Sequence, residues 1–194
     1  MSLLYHPNMT VEEYFALDQN STSGRYEYID GHIRLLAGGT PDHSQIGTNF
    51  ASVLYIKLES RRCRTFNSDV YVQLSETQYV HPDVSVSCDE PDRTQKKIIQ
   101  HPCLIVEVLS PSTESYDRRR KLILYQTCPS VQEYVLVNTT AQWIEVFRRE
   151  RTNFWRYLAF EYDEEVELAS VGIHFPISMV YRDVDNLQEP LQEE

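Results

Sequence analysis

The stretch Leu104-Ile105-Val106-Glu107-Val108-Leu109 constrains this chain more than any other. A continuous apolar run, broken by a single carboxylate, predicts a central strand covered on both faces. Strand parity puts Ile105, Glu107 and Leu109 on one of those faces. Burying a lone carboxylate there costs several kcal/mol, roughly, unless it is paired, coordinated or protonated. Glu107 therefore requires a partner. That partner is either an Arg or Lys from a covering helix, or a metal ion shared with a second acid.

Asp83, in Pro82-Asp83, is the second acid. The run from Val80 to Ser87 alternates, which places Val80, Pro82, Val84 and Val86 on one face of a strand and His81, Asp83, Ser85 and Ser87 on the other. Alone, an Asp after Pro is equally an ordinary turn residue. With Glu107 on a neighbouring strand it makes two hard oxygen ligands, suited to Mg²⁺ or Mn²⁺. Phosphodiester hydrolysis uses such a site, usually with a lysine that orients water and steadies developing charge. The position two residues after Glu107 is Leu109, so the lysine has to come from elsewhere. Lys121, in Tyr116-Asp117-Arg118-Arg119-Arg120-Lys121-Leu122, is the first candidate, and Gln126 a weaker one. Asp117 and Lys121 can pair across a helical turn, and a solvated basic face with an ordinary ion pair is the competing reading of this segment.

The surrounding pattern gives the fold class. Thr10 caps a short helix over 8–18. Two strand-like runs flank Asp30-Gly31, a hairpin signal. Residues 42–60 have helical spacing with Asp42 as cap, 64–74 and 80–87 alternate as strands, and 89–100 is polar enough for a surface loop. A helix over 115–127 stops at Pro129, and strands follow at 133–137, 143–147 and 154–158. The expectation is one α/β domain over 1–181, a mixed central β-sheet flanked by helices with an N-terminal helix and β-hairpin, then an acidic flexible tail over 182–194. Trp143, Phe147, Phe154, Trp155 and Tyr157 form either a homodimer face or part of the core.

A net charge of −11 disfavours strong sequence-independent phosphate binding, although carboxylates gathered at a metal site account for part of it. Four cysteines (63, 88, 103, 128) without a CxxC are expected as reduced, partly buried thiols rather than a zinc site or disulfide scaffold. No apolar run approaches the ~18–20 residues of a membrane span, and the start lacks the features of a signal peptide, so a cytoplasmic location is expected. No GxSxG, P-loop or Gly-rich dinucleotide motif is present.

Taken in order, Tyr26 to Ile33, His43, Pro82-Asp83, Pro102 to Thr113, Asp117 with Lys121, and Tyr125 resemble a known group. The chain is similar, over about residues 8 to 180, to the Uma-type restriction endonucleases of bacteria, within the PD-(D/E)XK nuclease superfamily. That resemblance implies a restriction-endonuclease-like core, Mg²⁺-dependent cleavage of DNA, metal ligands at Asp83 and Glu107, and Lys121 as a lysine moved from strand to helix. It also brings Glu27 and His43 to the periphery of the site. From the residues alone, Glu27 is equally a solvent-facing strand residue and His43 equally the opening of a helix. Cys103 and Cys128-Pro129 depart from the family pattern. Two functions remain open: an endonuclease acting on DNA, and a catalytically weak or inactive nuclease-fold module that works by binding protein or nucleic acid.

Overall fold

The computed structural model describes residues 8–185 and 187, except residues 23, 37 and 96. Helix α1 (Val11–Asn20) starts at Thr10, whose hydroxyl accepts the Glu13 N–H while the Glu13 carboxylate accepts the Thr10 N–H. This reciprocal pair satisfies two donors that the first turn would otherwise leave open. Strands β1 (Tyr26–Ile29) and β2 (His32–Leu35) form the expected hairpin. Asp30 and Gly31 turn it with φ of 51° and 87°, a conformation that Asp-Gly adopts at low cost. Helix α2 (Pro41–Lys57) is capped by Thr40 rather than by Asp42. The Thr40 hydroxyl accepts the His43 N–H, Pro41 takes the first helical position, where no N–H is needed, and Asp42 falls in the first turn.

Strands β3 (Arg64–Asn67), β4 (Tyr71–Ser75), β5 (Gln78–Val80) and β6 (Val84–Ser87) follow, then helix α3 (Glu90–Thr94), β7 (Ile98–Ile99) and β8 (Leu104–Val108). The strand expected over 80–87 is two strands in two sheets: β5 pairs with β1 and β4, whereas β6 pairs with β3 and β8. Pro82 has no N–H to give a ladder, so the pairing ends there and the chain crosses over. The alternating faces expected across the whole run therefore hold only within each piece. Residues 89–100 are not a bare loop either. They contain α3 and β7, anchored by the buried Asp92 carboxylate, which accepts from Ser87 Oγ and from the backbone N–H groups of Gln100 and His101.

The helix expected over 115–127 comes in three parts: α4 (Glu114–Tyr116), a π turn (Asp117–Lys121) and α5 (Leu122–Thr127). Strands β9 (Glu133–Val137), β10 (Trp143–Arg151) and β11 (Phe154–Glu161) are succeeded by a second hairpin, β12 (Glu165–Leu168) and β13 (Ile173–Pro176), which the sequence pattern had not signalled. A six-stranded sheet runs β11-β10-β9-β8-β6-β3, and a five-stranded sheet β2-β1-β5-β4-β7. Each is mixed, with β8–β9 and β4–β7 parallel.

Strand β8 is covered on both faces. Leu104, Val106 and Val108 join a core with Ile46, Phe50 and Leu54 of α2 and Phe175 of the C-terminal hairpin. Ile105 and Leu109 face the opposite core, with Val72 and Val80 of the second sheet and Leu124 and Tyr125 of α5. Tyr14 of α1 packs on Tyr26, Tyr28 and Tyr79 in a third cluster. Phe147 and Trp155 pack on the second core, while Phe154 and Tyr157 stay exposed. Val184 and Leu187, in the stretch expected as a tail, pack on the first core; residues 188–194 lie outside the described residues. Among the described residues no helix is long and apolar enough to cross a membrane.

The cysteine expectation is overturned at one pair. Cys63 and Cys88 form a disulfide, while Cys103 and Cys128 are free. The register explains it: Arg64 lies opposite Ser87, so the next pair outward is Cys63 and Cys88, with Cα atoms 3.9 Å apart. Strand pairing, which spacing in sequence does not reveal, brings the two sulfurs together.

Fully buried Glu133 of β9 ties the C-terminal hairpin to the central sheet. It accepts from Arg148 Nε at 2.7 Å, from the backbone N–H groups of Ala169 and Ser170, and from Ser170 Oγ. Removing the carboxylate strands a half-buried guanidinium and several donors. Glu133→Ala should therefore lose about 3–5 kcal/mol in urea unfolding, whereas Arg182→Ala, at an exposed site, should change stability by less than about 0.5 kcal/mol.

Candidate active site

Glu107 is 4 % exposed, on the face of β8 turned toward the second sheet. Its Oε1 accepts from Lys121 Nζ at 2.8 Å and from Tyr125 Oη at 2.7 Å. Lys121, 3 % exposed, also contacts Glu27 Oε1 at 3.0 Å and Asp117 Oδ1 at 3.7 Å. Glu27 reaches this point from β1 of the five-stranded sheet and is fully buried, so the solvent-facing reading of it fails. Asp83 sits at the sheet-to-sheet crossover, just ahead of β6. Its Oδ2 accepts the Val108 N–H at 2.7 Å and lies 3.4 Å from His43 Nε2. His43 does open α2, and it also meets Asp83, so its two readings coexist. Gly39 makes room for that ring, since a Cβ there would lie 2.6 Å from His43 Nδ1.

Lys121 is the basic residue that turns inward. Arg118 is spent on Glu114 and Glu145, and Arg119 and Arg120 are exposed. The π turn that delivers Asp117 and Lys121 is a departure from regular helix of a kind often found at functional sites. Gln126 lies one turn on, its carbonyl accepting from Arg149 Nη2.

The charge balance is lopsided. Among the described residues, four carboxylates (Glu27, Asp83, Glu107, Asp117) face Lys121 and His43, with the charge of Arg34 acting on Asp117. Burial, joined by the charges of Asp117, Asp83 and Glu27, pushes the Glu107 carboxyl up to about 8 against the pull of Lys121. Asp117 is raised as well, chiefly by burial. Burial opposes the charge on Lys121, but Glu107, Glu27 and Asp117 outweigh it and hold the ammonium protonated. Burial likewise opposes protonation of His43, and Asp83 overcomes it. Such a cluster is short of positive charge, which a divalent cation supplies.

Among the described residues, no group of three or more His, Cys, Asp or Glu side chains forms an ion cage. Glu27, Glu107 and Asp117 are drawn onto Lys121 instead. Asp83 and Glu107 nonetheless fit a Mg²⁺ site, because that ion is usually held by one or two carboxylates and keeps its other positions for water and phosphate oxygens. Both residues line a cleft of about 1240 Å³ with His43, His81, Ser110, Thr113, Asp117 and Lys121, and Arg25 and Arg34 line it too.

Two contributors had no role assigned from sequence. Tyr125, one turn beyond Lys121, donates to Glu107; its signal was the i, i+4 spacing from Lys121 on an inward helix face. His81 was expected to share a strand face with Asp83. It is instead in the crossover, buried, with Nδ1 at 3.0 Å from the Ser68 carbonyl and Nε2 without a hydrogen-bond partner among the described residues.

The two-sheet architecture has a counterpart among solved structures. The chain shares it with the crystal structure of a putative nuclease belonging to DUF820 from Anabaena variabilis ATCC 29413, at a TM-score of 0.72 and 22 % identity, covering 89 % of this chain and 97 % of that one. The chain belongs to the Uma2 family, described as "Putative restriction endonuclease", whose model matches residues 11–179. Two relatives from Synechocystis sp. are uncharacterized proteins. One, slr1290, is 38 % identical over 177 residues, covering 91 % of this chain and 93 % of the relative; the other, sll1609, is 30 % identical over 150 residues, covering 76 % and 84 %.

The raised Glu107 carboxyl has a consequence for stability. The native state holds this proton from the ordinary value of 4.5 up to about 8, where the unfolded chain has lost it. Stability from this group is therefore complete below 4.5 and lost as pH rises through about 8. Glu107→Gln removes the titration, so without metal its Tm should gain on wild type steadily from pH 5 to pH 8.5. A constant difference across that range, measured by calorimetry, contradicts the assignment.

Proposed function

We propose that this chain is a divalent-metal-dependent endonuclease that hydrolyses DNA phosphodiester bonds, with Asp83 and Glu107 as ligands of Mg²⁺ or Mn²⁺. One observation carries the reading: Glu107, buried on a central strand beside Asp83, is held by Lys121 and Tyr125 in a cluster with more carboxylates than cations. When bound, the ion supplies Lewis-acid polarisation of a phosphoryl oxygen and a more acidic water.

The chain's own residues divide the remaining work. Tyr125 and Lys121 fix one oxygen of Glu107, and the Val108 N–H fixes one oxygen of Asp83, so both carboxylates are preorganised. Lys121 stays protonated, which suits it to donate to an attacking water or to a phosphate oxygen as charge develops, not to accept a proton. His43 orients Asp83. Arg25 and Arg34 line the same cleft and offer positive charge to flanking phosphates.

A second reading, a nuclease-fold module that binds without cutting, draws on two observations: the net charge of −11 and the engagement of Lys121 with three carboxylates. Calorimetric titration with Mn²⁺ separates the two, because the enzyme reading requires binding that Asp83→Asn and Glu107→Gln abolish.

Plasmid cleavage in Mg²⁺ or Mn²⁺ tests the enzyme directly. Wild type should nick or linearise supercoiled DNA, and Lys121→Met should be slower on the order of 10²-fold or more. Asp83→Asn and Glu107→Gln should be inactive. Equal cleavage by wild type and both carboxylate variants would sink the assignment. At limiting metal, the rate should climb with pH toward about 8, since Glu107 has to shed its proton before it can ligate.

A further inference from the structure

We propose that Cys63, Cys88 and Cys103 form a thiol–disulfide exchange site, in which Cys103 competes with Cys63 for Cys88. The three sit at the end of β6 opposite Asp83, five residues away and so roughly 16 Å along the strand. Cys63 and Cys88 are bonded, and Cys103 Sγ lies 3.7 Å from Cys88 Sγ, in contact with it. The Cys103 backbone N–H is bonded to the Val86 carbonyl at 2.8 Å and its thiol points to the same oxygen at 3.3 Å, so the third sulfur is held beside the disulfide. Cys88 is exposed, with Cys63 and Cys103 half-buried. Cys128, by contrast, is buried in the second core beside Ser130 and takes no part.

The exchange balances without an outside oxidant or reductant. Cys103 loses its proton to solvent, and its thiolate attacks Cys88 Sγ. The Cys88–Cys103 bond forms as the Cys63–Cys88 bond breaks, and the electron pair leaves on Cys63, which then takes up a proton. One disulfide and one thiol are present before and after. Burial pushes the Cys103 thiol up to about 11, so little thiolate exists at neutral pH and the pairings interconvert slowly.

The two pairings differ mechanically. Cys63–Cys88 fastens β3, the edge strand, to β6, whereas Cys88–Cys103 joins β6 to the adjacent β8 and leaves β3 without its covalent tie. Thr65, Phe66 and Asn67 of β3 and the following Ser68 line the cleft, and Ser68 carries His81. Exchange thus sets how firmly one wall of the cleft is held. Only an effect on DNA rests on the nuclease reading; the sulfur chemistry does not.

Peptide mapping by mass spectrometry tests the site without any nuclease assay. Protein purified without reductant is incubated at pH 9, quenched in acid, alkylated and digested. Wild type should yield both Cys63–Cys88 and Cys88–Cys103 peptides. Cys103→Ser should yield only the first, and oxidised Cys63→Ser should yield the second. Three free thiols in wild type, a single pairing after incubation, or no Cys88–Cys103 link in Cys63→Ser overturns the proposal. Hydrogen exchange supplies the mechanical arm: amides of 64–69 should exchange at least tenfold faster in oxidised Cys63→Ser than in Cys103→Ser. Equal protection removes the role assigned to β3. Failure of the metal site would leave both readouts intact.

Discussion

Everything near the cleft is arranged around one carboxyl group that the fold has placed in its interior. Glu107 occupies a strand whose two faces both serve as core, so the residue is 4 % exposed, at the inner wall of the cleft. Desolvating an acid and an amine costs several kcal/mol each, roughly, and their attraction repays that only with good geometry and further hydrogen bonds. Here Oε1 of Glu107 has both, from Lys121 and Tyr125. Yet a well-packed apolar pair would usually be as stable or more so. Two further buried acids, Glu27 and Asp117, crowd the same lysine and make the arrangement worse as a stability device. On the proposed function it is the cluster's chemistry, and not fold stability, that accounts for its presence.

Three separate pieces of backbone have to converge for this. The helix after β8 returns over the second core and brings Lys121 and Tyr125 on its inner side. The five-stranded sheet contributes Glu27 from β1. The crossover at Pro82 puts Asp83 at the lip, where its side chain captures the Val108 N–H and the His43 ring. A proline that merely ended a strand would have left Asp83 in solvent. Because it ends β5 just before β6 begins in the other sheet, it joins the two sheets at the site itself.

Much of this was legible in the chain, for local reasons. The covered strand, its parity and the odd carboxylate follow from side-chain pattern alone, as do the Thr10 cap and the Asp30-Gly31 turn, each set by interactions within a few residues. Asp83, Glu107 and Lys121 stood out because each is a charged or turn residue where pattern called for something else. The family resemblance added Glu27 and His43. The local rules misplaced the cap of α2, where Thr40 and Pro41 together outcompete Asp42. They also ran one strand through Pro82, and they missed the β12–β13 hairpin, whose Val166, Leu168, Ile173 and Phe175 pack into the first core.

What the sequence determined by itself is therefore the list of elements and the identity of the unusual acids, since helix periods, turns and the cost of a buried charge act over short stretches of chain. Only the tertiary structure decided their company. It gathered Glu27, Glu107 and Asp117 onto Lys121 and set His43 against Asp83. It also closed Cys63 on Cys88 with Cys103 alongside. Those contacts span tens of residues and depend on strand register and sheet order, which no local pattern encodes.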